Sequence, residues 1–324
     1  MDNLRKARNS ASGQVEYVTV GAEEAGQRLD NFLMARLRGV PRTRVYRMLR
    51  KGEVRVNKGR AAPSYRIRHG DVVRIPPVRQ SAPRQDAGRP PQGIARLEER
   101  ILYEDERLLV LDKPSGMAVH GGSGASFGVI ETLRAIRQDA PFLELVHRLD
   151  KETSGCLLIA KRRSYLRSLH ELLREGRLDK RYLALVRGQW HLGSRRLEDR
   201  LRTHHREGGE RHVKADEHGK IAVSRFTPVQ ILRSASLVEV QLFTGRTHQI
   251  RVQAAAAGHP LAGDRKYGDA DFNRHLAKLG LKRMFLHAHS LEYDDPRTGE
   301  PRSFSSPLPD DLRAVLEAVE RWRA

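Results

Sequence analysis

ELVHRLDKETSGCLLIA, residues 144–160, carries the densest chemistry in the chain. Its last four residues, Leu157 to Ala160, form an apolar run that reads as a buried strand. The polar loop before it holds one carboxylate, Asp150, between Leu149 and Lys151. Arg148 and Lys151 flank that carboxylate, and a nearby cation favours the ionised form. An ionised acid is what a nucleophile or general base must be. A turn aspartate that holds its loop through backbone N–H groups is the plainer reading, and spacing alone favours it. His147 reads as a hydrogen bonder that orders the loop, and Cys156 as packing ahead of the strand.

Outward from this loop the pattern repeats. Arg107 to Leu111 is an apolar run that ends at Asp112-Lys113-Pro114-Ser115-Gly116, where Pro and Gly turn the chain. The glycine-rich HGGSGASFG, residues 120–128, then leads into the helical ETLRAIR. Strand, glycine loop and helix invite a nucleotide-binding reading, but neither GxGxxG nor GK[ST] stands at the helix start. On the C-terminal side, DKRYLALVRG (179–188) puts Tyr182 on a strand-like run. TGRTHQIRVQ (244–253) reads as a tight turn leading into a strand, with Arg246, His248 and Ile250 alternating with Thr247, Gln249 and Arg251. Polar residues interrupting apolar strands in three places point to one shared cleft. His204, His205, His212 and His218 lie in a charged, glycine-containing stretch that reads as a solvated β-hairpin rather than a zinc site.

The whole chain has 324 residues, enough for two domains, and a formal net charge of +20. One cysteine excludes an internal disulfide and a thiolate zinc site, and suggests a reducing compartment. No apolar stretch approaches the roughly 18–20 residues of a membrane span, and the N-terminus has no secretory pattern. The charge points to nucleic acid, although 48 Arg against 12 Lys would also follow from a GC-rich genome. Its distribution is uneven: residues 1–80 hold 18 basic and 7 acidic residues. Within them Leu29, Phe32, Leu33 and Leu37 make one helical stripe. Pro41 and Gly52 suit the start and end of a second helix, in which Val45, Met48 and Leu49 are the buried face. Arg44, Arg47 and Lys51 share another face, flanked by Arg42 and Arg50. Val54 to Asn57 and Asp71 to Ile75 alternate like short strands. From Arg79 to Arg96 the chain turns rich in Pro, Gly, Gln and Ala and reads as a linker.

These strings carry two resemblances. GQRLDNFLMARLRGVPRTRVYRMLRKGEVRVNKGR (26–60) followed by IRHGDVVRI (67–75) resembles the S4 RNA-binding domain. HRLDKETSG (147–155) resembles the signature of the RluA family of pseudouridine synthases. KPSGMAVH (113–120), KRYLALVRG (180–188), GRTHQIRV (245–252) and FLHAHSL (285–291) follow the same family's order. Ile221, Asp112 and Cys156 depart from residues usual in that family.

The resemblance implies an α+β chain. A small S4 domain over 15–78 and a linker over 79–96 would precede a catalytic domain over 97–324, with a mixed, mostly antiparallel sheet flanked by helices. It implies isomerisation of uridine to pseudouridine in 23S ribosomal RNA or a large-subunit assembly intermediate. By the same likeness Asp150 is the essential carboxylate, Arg251 pairs with it, and Tyr182 stacks on the uracil and helps move the C5 proton. Leu286 packs on the base's other side, and Arg148 fills the space left by the flipped nucleotide. Arg42, Arg44, Arg47, Arg50 and Lys51 would grip RNA. An isomerisation needs neither cofactor nor metal, and the implied protein is a cytoplasmic monomer with no membrane partner. The competing reading is a noncatalytic rRNA-binding or assembly factor, which loss of the Asp150 carboxylate would leave working.

Overall fold

A computed structural model describes residues 14–22, 24–37, 40–78, 95–121, 127–205 and 211–321. The chain divides into two compact units, Met1–Arg89 and Pro90–Ala324. The linker expected over 79–96 falls outside the described residues as far as 94, as do residues 122–126 of the glycine-rich stretch.

In the first unit β1 (Glu16–Thr19), α1 (Leu29–Arg36), α2 (Arg42–Lys51), β2 (Arg55–Val56) and β3 (Val72–Ile75) follow in order. The strands form an antiparallel sheet in the order β1-β3-β2. The apolar stripe of α1 does what its spacing predicts: Leu29, Phe32, Leu33 and Leu37 are buried with Val45, Met48 and Leu49 of α2. Gly52 ends α2 at φ +68°, and the Glu53 N–H returns to the Met48 carbonyl, the closure a left-handed cap provides. Buried Asp30 ties the helices together, accepting from Arg28 and from the Tyr46 hydroxyl at 3.0 Å.

The second unit is built on an eleven-stranded sheet. Its N-terminal part holds α3 (Ala95–Glu98), β4 (Ile101–Glu104), β5 (Leu108–Lys113), α4 (Val129–Ile136), β6 (Glu144–Leu145), β7 (Ser154–Ala160), α5 (Arg163–Glu175) and β8 (Asp179–Arg187). Then come β9 (Arg195–His205), β10 (Arg211–Ala215), β11 (Lys220–Ile231), β12 (Ala235–Leu242), α6 (Gln249–Ala256), α7 (Ala270–Lys278), β13 (Leu286–Asp294), β14 (Pro301–Ser305) and α8 (Asp310–Arg321). The strand order is β10-β9-β11-β12-β8-β13-β7-β5-β4, with β14 on β13 and β6 on β7. Among the described residues only β7 and β13 run parallel, so the sheet is mixed and mostly antiparallel, as the resemblance implied.

The continuous apolar runs of β5 and β7 are explained by two covered faces. Leu109, Leu111, Leu157 and Ile159 meet α4 and α6 on one side. Leu108, Val110, Cys156 and Leu158 meet α5 on the other. The helix α4 starts at Gly128, and a Cβ there would lie 2.4 Å from the His120 backbone. Glu131 accepts the N–H groups of Gly121 and Gly128, both at 2.9 Å. An internal carboxylate thus holds the helix start that a nucleotide phosphate would need.

One expected strand is a helix. The segment after Gly245 turns at His248 and becomes α6, and Gln249, Ile250, Val252, Gln253 and Ala254 are its buried residues, in helical spacing. The glutamines hide that period because they look polar. Gln249 Nε2 donates to the Val223 carbonyl at 3.0 Å, and Gln253 Nε2 to Asp199 at 2.8 Å. Each buried amide therefore spends its polarity on pinning α6 to the β9–β11 side of the sheet.

Candidate active site

Asp150 sits in the loop between β6 and β7. Thr153 N–H closes a turn onto its carbonyl at 3.1 Å. The loop from Lys113 to Met117 holds that turn from below. Ser115 Oγ donates to the Glu152 carbonyl at 2.7 Å, and Gly116 N–H to the Lys151 carbonyl at 2.9 Å. The fully buried Lys113 ammonium donates to the carbonyls of Pro114, Met117 and Lys151. Burial lowers it to about 7, with the charge of Asp150 opposing. Gly155, at φ +109°, lets β7 approach β13 so closely that a Cβ would lie 2.2 Å from the Ala288 carbonyl oxygen. His147 Nε2 accepts the Leu158 N–H at 3.1 Å, and burial brings it down to about 3, so this imidazole is a neutral loop-orderer.

Arg251, one turn into α6, reaches Asp150 across this loop. Its Nη1 donates to Asp150 Oδ2 at 3.3 Å. The rest of the guanidinium is clamped by Asp264, Nε to Oδ2 at 2.7 Å and Nη2 to Oδ1 at 2.8 Å. Asp264 is buried, and its Oδ1 also accepts the N–H groups of Lys266 and Tyr267. Burial alone would raise its pKa, but Arg251 and these N–H groups hold it below the ordinary carboxylate range. The Arg251 guanidinium is held above its ordinary value against burial by Asp264 first and Asp150 second. A bidentate clamp fixes the plane of a guanidinium, so one nitrogen is left aimed at Asp150.

His248 adds a second group beside the carboxylate. It takes a left-handed backbone at φ +53°, an uncommon conformation for a non-glycine residue. The Tyr267 hydroxyl accepts from Val213 N–H at 2.9 Å and lies 2.9 Å from His248 Nδ1. The other ring nitrogen, Nε2, faces the carboxylate. That nitrogen stands 3.9 Å from Asp150 Oδ2, too far for a hydrogen bond as it stands. Burial lowers His248 to about 4, Asp150 opposing and Arg251 adding to the shift. The ring of Tyr267 also lies under Arg251, 5.0 Å from the guanidinium carbon.

These groups open onto a cleft of about 500 Å³. Asp150, Arg251, Tyr182, Leu286 and Arg148 all line it, so the structure brings together the five residues expected in the catalytic body. Tyr182 stands on β8 opposite Ala288, and Leu286 opposite Ala184, which makes them diagonal neighbours on one sheet face. Burial, and after it the charge of Asp150, pushes the Tyr182 phenol well above its ordinary value. Its hydroxyl has no hydrogen-bond partner among the described residues. Arg148 is exposed at the rim. In the first unit Arg42, Arg47, Arg50 and Lys51 are exposed on α2, while Arg44 is half-buried and paired with Glu53 at 3.3 Å.

Asp264 and Tyr267 were not legible as site residues, because GDRKYGD is a polar turn with no period. His248 was noted only as a strand position. β9 and β10 pair as a hairpin; in them His204 faces Asp216, while His212 is not solvated but packs against Tyr267.

Comparison with known proteins identifies relatives of both units. The family described as RNA pseudouridylate synthase matches residues 107–256, and the S4 domain matches residues 27–73. The chain is 50% identical over 323 residues to the ribosomal large subunit pseudouridine synthase C of Pasteurella multocida (strain Pm70), covering 99% of each chain. It is 52% identical over 312 residues to the protein of that name in Escherichia coli (strain K12), covering 95% of this chain and 98% of the relative. Among solved structures it resembles human RNA pseudouridylate synthase domain containing 4, with a TM-score of 0.59 and 25% identity over 70% of this chain and 95% of that one.

Proposed function

The chain belongs to the RNA pseudouridylate synthase family, and from that membership we propose that it converts uridines of large-subunit ribosomal RNA, 23S in a bacterium, to pseudouridine, with Asp150 as the essential carboxylate. The observation that carries the reading is one carboxylate, Asp150, held 3.3 Å from a clamped guanidinium in a cleft that also exposes a tyrosine. The relatives' names supply the large-subunit substrate, and the S4 match supports RNA binding by the first unit.

The reaction moves uracil from an N1–C1′ bond to a C5–C1′ bond. It gains and loses no electrons overall, and its residues need only bind, orient and move protons. The target base must first leave its stack, at a cost of a few kcal/mol in a duplex and less in a loop. Arg148, exposed at the cleft's rim, suits the vacated space, because a guanidinium both stacks and donates hydrogen bonds. Tyr182 and Leu286 offer an aromatic and an aliphatic surface to the flipped uracil. Two routes start at Asp150, addition to C1′ or removal of the C2′ proton. Both send the N1–C1′ bonding pair out with the base. Arg251 keeps the carboxylate aimed in either case. The raised pKa of Tyr182 keeps its phenol protonated, which suits stacking and hydrogen-bond donation better than proton abstraction from C5.

Cytoplasmic location and action as a monomer, on free rRNA or on an assembly intermediate, belong to the same proposal. Among the described residues no helix is long and apolar enough to cross a membrane. The test is release of label from C5-tritiated large-subunit rRNA. Wild-type protein should release it, and Asp150→Ala should not while still binding the RNA. Release by the variant at a comparable rate would overturn the assignment.

A further inference from the structure

Lys180 is a charge that the fold does not use. It is 9% exposed, on β8 two residues before Tyr182 and on the same face of that strand. Leu242, Val146 and Leu173 line the same cleft. Among the described residues its ammonium has no hydrogen bond and no ion pair. The adjacent carboxylate, Asp179, favours the charged form from a distance, but its oxygens are taken by Arg181 and by Gln241, each at 3.0 Å. His147 beside it is neutral and already accepts a backbone N–H. Of the other charged residues that line the cleft, Arg148, Arg174, Arg246 and Arg251 are cations, and Asp150 is engaged by Arg251. A lysine nine-tenths buried without an acceptor costs stability, since burial penalises its charged form. Its partner is therefore to be sought in what the cleft binds.

We propose that Lys180 is a catalytic residue that holds a carbonyl oxygen of the flipped uracil and stabilises the negative charge the base carries after the N1–C1′ bond breaks. This rests on the pseudouridine synthase reading above. When that bond breaks, its electron pair leaves on N1 and spreads over O2 and O4. The charge is consumed when C5 uses a pair to bond C1′, after which the C5 proton departs. A preorganised cation in a water-poor slot is the means of stabilising such a transient anion. Depth selects the base over the backbone. Phosphates stay at the surface, where the exposed Arg148, Arg174 and Arg246 line the same cleft, whereas Lys180 is buried on β8, two residues from Tyr182.

The test uses full-length protein, the variants Lys180→Met and Lys180→Gln, and large-subunit rRNA transcribed with uridine or with 5-fluorouridine. Reaction of the fluorinated RNA is read as loss of the N-glycoside, because its C5 has no proton to release. Wild-type turnover, run alongside, reports the underlying reading by itself. Lys180→Met should lower kcat about 10²-fold, the usual cost of one charge-stabilising donor. KM and the salt dependence of binding should not move, and the thermal midpoint should hold or rise. The loss should shrink on 5-fluorouridine, whose base leaves more readily as an anion. Lys180→Gln should track Met, because it keeps a donor without the charge. An unchanged kcat overturns the proposal, as does an equal loss on both bases. A raised KM with a flatter salt dependence also overturns it and makes Lys180 a phosphate contact. A lowered melting midpoint with general loss of activity makes it a structural residue.

Discussion

Arg251 shows how much of the site depends on one hidden residue. Its aim at Asp150 is set by the two-point clamp from Asp264. Removing one partner of such a buried pair costs about 3–5 kcal/mol, because the other charge is left uncompensated. Asp264→Ala should therefore lower the urea midpoint substantially. Asp264→Asn, which keeps the shape, should lose less stability but still lower kcat by up to about 10²-fold through a misaimed Arg251. Full activity in both variants would show that Asp150 does not depend on the clamp. Two histidines give a pH signature. His147 and His248 stay neutral to about 3 and about 4, whereas an unfolded chain takes up these protons below about 6.5. The unfolded state then binds more protons, so stability should fall as pH drops from about 6.5 toward 4, and His147→Gln should flatten that fall. A flat urea midpoint across this window contradicts both shifts. Asp150, Tyr182 and Arg251 were legible through the strings that carry them. Asp264 and Tyr267 were not, because a polar turn gives no sign of which distant side chain it will meet.

Among the elements, β7 and α6 position Asp150 and Arg251, and they differed in how openly the sequence declared them. Leu157 to Ala160 are apolar on both sides of the strand because helices cover both faces, and a continuous apolar run is how such a strand reads. In α6 the buried stripe is partly glutamine, so the period that marks a helix was masked and alternation was read instead. What decided the matter was tertiary: Gln249 and Gln253 find partners on β9 and β11 that no local pattern contains. The glycine before Cys156 gives an element-scale test. Gly155→Ala would need φ near +109° with a Cβ 2.2 Å from the Ala288 carbonyl. It should cost more than the roughly 1–3 kcal/mol of backbone strain alone and part β7 from β13, taking pseudouridine formation with it. A variant that melts like wild type would show that this strand pair tolerates separation.

For the whole molecule, the charge of +20 divides by task. The exposed cations of α2 suit phosphate contact, but the pairing of Arg44 with Glu53 takes one of them partly out of play. Replacing Arg44, Arg47 and Lys51 together should therefore flatten the salt dependence of RNA binding by about two contacts, roughly 1.4–1.8 in the log–log slope. An unchanged slope would mean that this face does not meet RNA. Deleting residues 1–80 should reduce efficiency and site choice while leaving the chemistry in the second unit. The proposed activity depends on Asp150, and the most direct measurement is pseudouridine mapping of large-subunit rRNA incubated with wild-type protein or with Asp150→Asn. The expected result is new pseudouridine at defined positions with wild type and none with the variant, at equal RNA affinity. Pseudouridine formed by Asp150→Asn at a rate near wild type would contradict it.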